Sequence, residues 1–307
     1  MLALTLRRVA AIVPTLLVLV TVSFFIVRLA PGGPFDDPSA LPPQVRANLD
    51  RLYGLDRPVA AQYLNYLRGL AHGDFGPSYK LRDESVGALI GQGLPISAAV
   101  GVAALLLAVI GGVPLGIWAA LRRGSFADYA VTALATVAIA LPSFVTAPIL
   151  ALVFGLTLRW LPVAGWQQGD PAYLVLPALT LALPVGAAIA RLMRGSLLEV
   201  LGASFVRTAR ARGLGRWRVL VNHALRPALL PVVSYLGPAA TYVITGSLVV
   251  ETVFELPGTG RYLVQGALDR DYTLVMGMII VYGALTLLMN LLADLLYGWL
   301  DPRVRHE

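Results

Sequence analysis

The chain has 307 residues, 57% of them hydrophobic and only 13% charged, with mean hydropathy +0.74 and formal net charge +7. Soluble domains carry about 25% charged residues, so this composition points away from a soluble domain and toward a polytopic membrane protein. Cysteine is absent, which excludes a disulfide framework and a thiolate metal site.

In chain order, membrane spans are expected at about 9–29, 96–121, 129–158, 171–193, 228–250 and 272–297. Each reaches the ~18–20 residues needed to cross ~30 Å of hydrocarbon as a helix. Arg7 and Arg8 precede the first. It reads as a retained helix and not a signal peptide, because its apolar core exceeds the roughly 7–15 residues of a secretory h-region. The fold expected is therefore an all-α polytopic membrane protein, a single transmembrane domain over 1–307 with six transmembrane helices.

Between the first two spans lies a long outer segment, 31–93, expected to be structured. Pro42 and Pro43 start a short helix with Val45, Leu49 and Leu52 on one face and Gly54 as its stop. Pro58 starts another, with Tyr63, Tyr66, Leu67 and Leu70 at i, i+3, i+4 and i+7. Such helices lie on the membrane, pack on the bundle or receive a soluble partner. The inner loop 121–128 is short, which makes spans two and three antiparallel neighbours. The later outer loops are 159–170 and a turn-rich 251–271. Pro114, Pro142, Pro148, Pro177, Pro184 and Pro238 fall inside spans, where each removes a helix hydrogen bond. They read either as bends along a pathway or as ordinary bundle packing. Asp294, in or near the last span, reads as an interfacial partner for Arg303 and Arg305, as a hydrogen-bonding partner of a neighbouring helix, or as a functional acid.

Orientation follows from charge. With the N-terminus inside, the inner segments hold 14 basic residues against four acids, Asp128, Glu199, Asp301 and Glu307, whereas the outer segments hold 10 basic and 12 acidic residues. The positive-inside rule then places both termini in the cytoplasm.

Several chemistries lack their residues. Lys80 is the only lysine, and no G-x-x-x-x-G-K-[ST] phosphate loop is present. No G-x-S-x-G elbow or H-E-x-x-H helix occurs, and His72, His223 and His306 have no ligand spacing. An enzyme or a metal site is not expected. A self-contained secondary transporter or channel would need coupling-ion residues at the bilayer midplane, and the spans supply no convincing set.

The most informative stretch is 204–231, inside the cytoplasmic loop 196–227. It carries six arginines between 207 and 226, no acid, and a Gly-Leu-Gly break at 213–215. Before the break, Phe205 and Ala209 share a face. After it, Trp217, Leu220, Val221, Ala224 and Leu225 form one apolar helical face. The loop reads as a helix, a glycine turn and a second helix entering span five. By physics alone, its partner is either anionic lipid headgroups or a docked protein.

The run R-T-A-R-A-R-G at 207–213 followed by Leu214, with H-A-L-R-P-A-L-L-P at 223–231, resembles the EAA loop of binding-protein-dependent ABC transporter permeases. Arg207, Thr208 and Ala209 stand where that motif has Glu-Ala-Ala, and Gly213 is its glycine. The first two positions depart from the general pattern as peptide permeases do. RLAPGGPF (28–35), LPPQV (41–45), AHGDFGPS (71–78), LPSFV (141–145), ARLMRGSLLEV (190–200), ITGSLVVET (244–252), LPGTG (256–260) and LDPRVR (300–305) are similar to the B subunits of oligopeptide permeases.

That resemblance covers essentially the whole chain, and it implies the type I ABC importer permease fold in the bacterial inner membrane. It further implies that Phe205, Arg207, Thr208, Ala209, Arg210, Ala211, Arg212, Gly213 and Leu214 couple to an ATPase cleft. ATP and Mg would bind to two partner ATPase subunits, and this chain would bind no cofactor. A homologous second permease subunit and an extracytoplasmic peptide-binding protein, which touches 31–93 and the later outer loops, are the other implied partners. Pro142, Ser143, Ile244, Thr245 and Ser247, small or polar within spans three and five, are the expected pathway residues.

Overall fold

The computed structural model describes residues 2–29, 32–35, 42–81 and 83–300. Arg303, Arg305, Asp301, Glu307, His306 and parts of the outer segment (31, 36–41 and 82) lie outside the described residues. In chain order the helices are α1 (Leu2–Leu29), α2 (Pro43–Leu52), α3 (Val59–Ala71), α4 (Val86–Leu121), α5 (Phe126–Ala140), α6 (Ser143–Leu150), α7 (Ala172–Leu201), α8 (Ser204–Ala211), α9 (Arg216–Val219), α10 (Leu225–Val253), α11 (Thr259–Leu268) and α12 (Tyr272–Leu300). π-Helical turns occupy Ala151–Thr157 and Leu220–Ala224.

Among the described residues, five helical runs are long and apolar enough to cross a membrane: α1, α4, α7, the continuous Arg216–Val253 run and α12. Several outrun the expected spans, because a helix need not stop where hydrocarbon does. The third expected span, 129–158, is not one straight helix. α5 and the α6–π run meet at 107° across a break at Leu141 and Pro142. The cause is local. A residue before proline is pushed from helical to extended backbone, and Leu141 sits at φ −83°, ψ 119°. Pro142 then donates no hydrogen bond. The other proline sites, Pro114, Pro148, Pro177, Pro184 and Pro238, remain inside helices. The outer loop 251–271, turn-rich at 256–260, also contains a helix, α11.

The chain forms two compact units. Among the described residues, one holds 2–10, 98–256 and 285–300, and the other holds those of 11–97 and 257–284.

In the first unit α7 is the hub, packed against α5, α6 and α10. Its buried Leu181, Val185, Ile189, Met193 and Leu197 repeat every four residues along one stripe. Between helices in lipid there is no hydrophobic driving force, so close backbone approach and dispersion hold them together. Gly112 and Gly116 of α4 supply that approach. A Cβ at Gly112 would lie 2.5 Å from the Gly186 carbonyl oxygen, and one at Gly116 would lie 2.5 Å from that of Ala190. Small residues thus face each other at i and i+4 on both helices.

In the second unit, the end of α1 packs on α3. The fully buried Phe24 ring meets Tyr63 at 5.2 Å and Tyr66 at 6.2 Å, and Thr21 shares a 2.6 Å hydrogen bond with Tyr63. α3 thus meets α1 through Tyr63 and Tyr66. α2 differs, for Val45 and Leu52 stay exposed. Asp271, almost fully buried, accepts hydrogen bonds from the Ser78 hydroxyl, the Tyr79 amide at 3.0 Å and the Leu274 amide at 3.2 Å. It thereby pins the loop before α4 to the start of α12. Ser97, Thr259 and Tyr282 form a second buried polar chain, with the Thr259 amide donating to Ser97 Oγ at 2.9 Å. Asp294 is half-buried on α12.

Candidate functional site

α8 begins two residues after α7 ends, with Ala203 extended as its N-cap. It has eight residues, so isolated it would be marginal, and packing must hold it. Val206 and Ala209, three apart, turn inward and are 0% and 6% exposed. They meet Val219 of α9, with Val200, Leu201 and Leu214 around them. This small apolar cluster corrects the expected faces. Ala209 pairs with Val206, not with Phe205, which is 47% exposed.

The end of α8 is set by hydrogen bonds. The Gly213 amide donates to the Arg210 carbonyl at 2.9 Å, and the Leu214 amide donates to the Ala209 carbonyl at 3.3 Å. This pair of bonds is a Schellman cap, in which the residue after the C-cap adopts left-handed backbone. That residue is Gly213, at φ +79°. The cap also brings Leu214 back onto the apolar cluster, as such caps commonly do. Glycine is required here by backbone, since nothing lies within 4 Å of where a Cβ would sit.

The outward surface of α8 is Phe205, Arg207, Thr208, Arg210, Ala211 and Arg212, all exposed. Among the described residues, no carboxylate pairs with Arg207, Arg210 or Arg212. A cationic helix with one aromatic knob and a fixed end can dock into a complementary cleft. It carries no nucleophile–base pair or metal cluster. Of the nine residues expected to couple, the structure therefore turns Phe205, Arg207, Thr208, Arg210, Ala211, Arg212 and Gly213 outward, and uses Ala209 and Leu214 to seat the helix.

After the turn, α9 runs through the π turn into α10. The buried stripe is Val219, Leu220, Ala224 and Ala228, whereas Trp217 is 74% exposed and Val221 is also exposed. Of the expected face, Leu220 and Ala224 are buried, whereas Trp217 and Val221 turn outward. The wide turn ends just before Pro227, which has no N–H to donate to the His223 carbonyl.

An ion pair joins α5 to α7. Asp128, only 2% exposed at the start of α5, receives both Nε and Nη2 of Arg194 on α7, the latter at 2.9 Å. It also accepts the Gly124 amide at 3.0 Å, and Ser125 caps the Asp128 amide at 3.4 Å. Two-point guanidinium–carboxylate bonding fixes geometry as well as charge. In the sequence Asp128 stands out only as a charge, and Arg194 as a charge within ARLMRGSLLEV (190–200). The signal was Ser125-x-x-Asp128, a helix-start pattern.

The expected pathway residues lie on two helices that pack together, α6 and α10. Pro142 is exposed at the bend and Ser143 half-buried beside it. On α10, Ile244 is half-buried and Thr245 exposed, with Thr245 Oγ1 donating to the Thr241 carbonyl at 3.0 Å. Ser247 is buried, and its hydroxyl donates to the Ile244 carbonyl at 2.8 Å.

Known proteins share this sequence closely. Residues 112–306 match the family described as binding-protein-dependent transport system inner membrane component. The oligopeptide transport system permease protein OppB of Salmonella typhimurium is 51% identical over 306 residues, covering 100% of both chains. The protein of the same name from Haemophilus influenzae is 48% identical over 300 residues, 98% of both. The dipeptide transport system permease protein DppB of Bacillus subtilis is 41% identical over 299 residues, 97% of this chain and 96% of that one. The chain belongs to the binding-protein-dependent transport system inner membrane component family, as a multi-pass inner-membrane transport subunit and not an enzyme.

Proposed function

We propose that this chain is the permease subunit of an ATP-driven ABC importer for oligopeptides. It forms the pathway with a homologous second permease subunit, and two cytoplasmic ATPase subunits, which bind ATP and Mg, dock on α8. The observation that carries this is the outward cationic face of α8, seated by an apolar cluster and ended by Gly213, in a chain without a phosphate-loop lysine. Relatives named for oligopeptide and dipeptide transport support the substrate class.

Movement of α8 enters α7 through the two-residue link before it and α10 through α9. α6 packs on both α7 and α10, so the residues Pro142, Ser143, Ile244, Thr245 and Ser247 shift together. Pro142 and Thr245, the exposed members, meet substrate first. A peptide-binding protein delivers from the outside, against the segment 31–93 with α2 and α3. Purified with its ATPases, second permease and binding protein, the complex is expected to hydrolyse ATP faster with peptide, and this chain alone in liposomes to pass none. Uptake by the chain alone would instead mark a self-contained transporter.

The bent pair counts as one span. α5 has 15 residues, about 22 Å at 1.5 Å per residue, short of the ~30 Å core. Two halves in one passage give six spans, with both termini in the cytoplasm, in line with the arginine distribution. Because the chain has no cysteine, an introduced one is its sole thiol. A membrane-impermeant maleimide is expected to label Gly169→Cys and Asp269→Cys in intact cells, and Gly124→Cys and Gly215→Cys only after lysis. Labelling of Gly124→Cys and Asp269→Cys from the same side would rule out the six-span order.

A further inference from the structure

The second unit holds a cavity of about 250 Å³ beside α1, α2, α3 and α12. Three of its lining residues are arginines, Arg28, Arg51 and Arg57, and among the described residues none of the lining carries a carboxylate. Like charges gathered around one space repel unless an anion fills it. A second cavity that Arg28 also lines includes Asp50 and Asp56, of which Asp50 lies 3.9 Å from Arg46.

Arg28 is held in a defined pose. Its guanidinium lies 3.6 Å over the Phe24 ring. Its Nε and Nη2 donate to Gln62 Oε1 at 3.0 and 2.9 Å. Gln62 cannot offer its amide nitrogen instead, because Nε2 donates to the Leu55 and Arg57 carbonyls at 3.0 and 2.8 Å. Two of the five guanidinium N–H groups are used, which leaves three for another acceptor. Tyr66, on the same cavity wall, has a buried phenol oxygen with no hydrogen-bond partner. A buried unpaired donor is costly, and its position beside Arg28 gives it a use. Burial pushes the Tyr66 phenol well above its ordinary pKa and that of Tyr79 up to about 12. Both therefore remain protonated donors at neutral pH.

We propose that this cavity binds an anionic oxygen group, a carboxylate or a phosphate, between the free N–H groups of Arg28 and the Tyr66 hydroxyl, with Arg51 and Arg57 at its rim. The carboxylate source is the C-terminus of a small peptide. The phosphate source is the headgroup of an anionic lipid. The site is read from cavity chemistry alone and stands apart from the coupling role of α8.

The test uses full-length chain labelled with 3-fluorotyrosine in nanodiscs, with the Tyr66 fluorine signal assigned by its loss in Tyr66→Phe. In phosphatidylcholine discs, trialanine is expected to shift that signal saturably, and trialanine amide, which lacks the carboxylate, to leave it in place. If lipid is the source, discs containing phosphatidylglycerol shift the signal with no peptide present. Arg28→Gln is expected to weaken either response about tenfold, as for the loss of one charge-assisted contact. Arg28 also packs on Phe24, so Arg57→Gln, exposed at the rim, provides a second and weaker reduction in chain that stays folded. No shift from peptide or lipid, an equal shift from trialanine amide, or shifts untouched by both arginine variants would overturn the assignment.

Discussion

Gly213→Val is expected to abolish most peptide uptake, whereas Gly215→Val leaves it near wild type. The two glycines stand two residues apart in the same exposed turn, and neither has an atom within 4 Å of its would-be Cβ. They differ in backbone. Gly213 sits at φ +79°, where a β-branched residue is a true outlier. Gly215 sits at φ −64°, ψ 152°, ordinary extended backbone for valine. Left-handed strain of about 1–2 kcal/mol or more unwinds the cap, frees Leu214 from the apolar cluster and lets α8 tilt. A difference of 1.4 kcal/mol is about tenfold in an equilibrium, so uptake and ATPase co-purification should fall by roughly that factor or more. Gly213→Asn, which tolerates left-handed backbone, should retain most of both. Equal losses from the valine substitutions at 213 and 215 would show that the cap does not set coupling.

Gly116→Leu is expected to break the α4–α7 contact, and Gly111→Leu to do nothing measurable to it. A Cβ at Gly116 would meet the Ala190 carbonyl oxygen at 2.5 Å and Met193 Cβ at 2.7 Å, while at Gly111 it meets nothing within 4 Å. Overpacking costs typically 1–3 kcal/mol when side chains can shift. Here backbone blocks the added atom, so the helices must separate, and the cost is expected at the top of that range (~3 kcal/mol) or beyond it. Thermal melts of detergent-purified protein, followed by the fluorescence of its five tryptophans, should show a clear drop for Gly116→Leu and none for Gly111→Leu. A melting point for Gly116→Leu equal to wild type would mean that α4 and α7 do not meet as described.

The coarse design was legible because it rests on signals with strong physical causes. Runs of 20 apolar residues, Pro42–Pro43 and Pro58 at helix starts, and the Gly213 break each act locally and need no partner to be read. The helix–turn–helix around Gly213 came through for that reason. What escaped depended on distant residues. The Asp128–Arg194 pair joins positions 66 apart, and the Gly112/Gly116 contact needs the Gly186 region of another helix. Among the small or polar residues of spans three and five, Ser247 donates its hydroxyl to the Ile244 carbonyl of its own helix. Polarity in a sequence does not say which way a side chain turns.

The π turn at Leu220–Ala224 acts as a phase setter. A π turn amounts to one residue inserted into an α-helix, and one residue is about 100° of rotation. The arginine-bearing turn at Arg216–Val219 is therefore clocked against the membrane helix by an amount that the 3.6-residue period alone does not foresee, which is why Trp217 faces outward. Residue number in this short stretch, more than residue identity, decides which compass direction the loop presents to whatever meets it. A one-residue deletion there would leave every side chain of α10 in place yet swing the loop by more than a quarter turn.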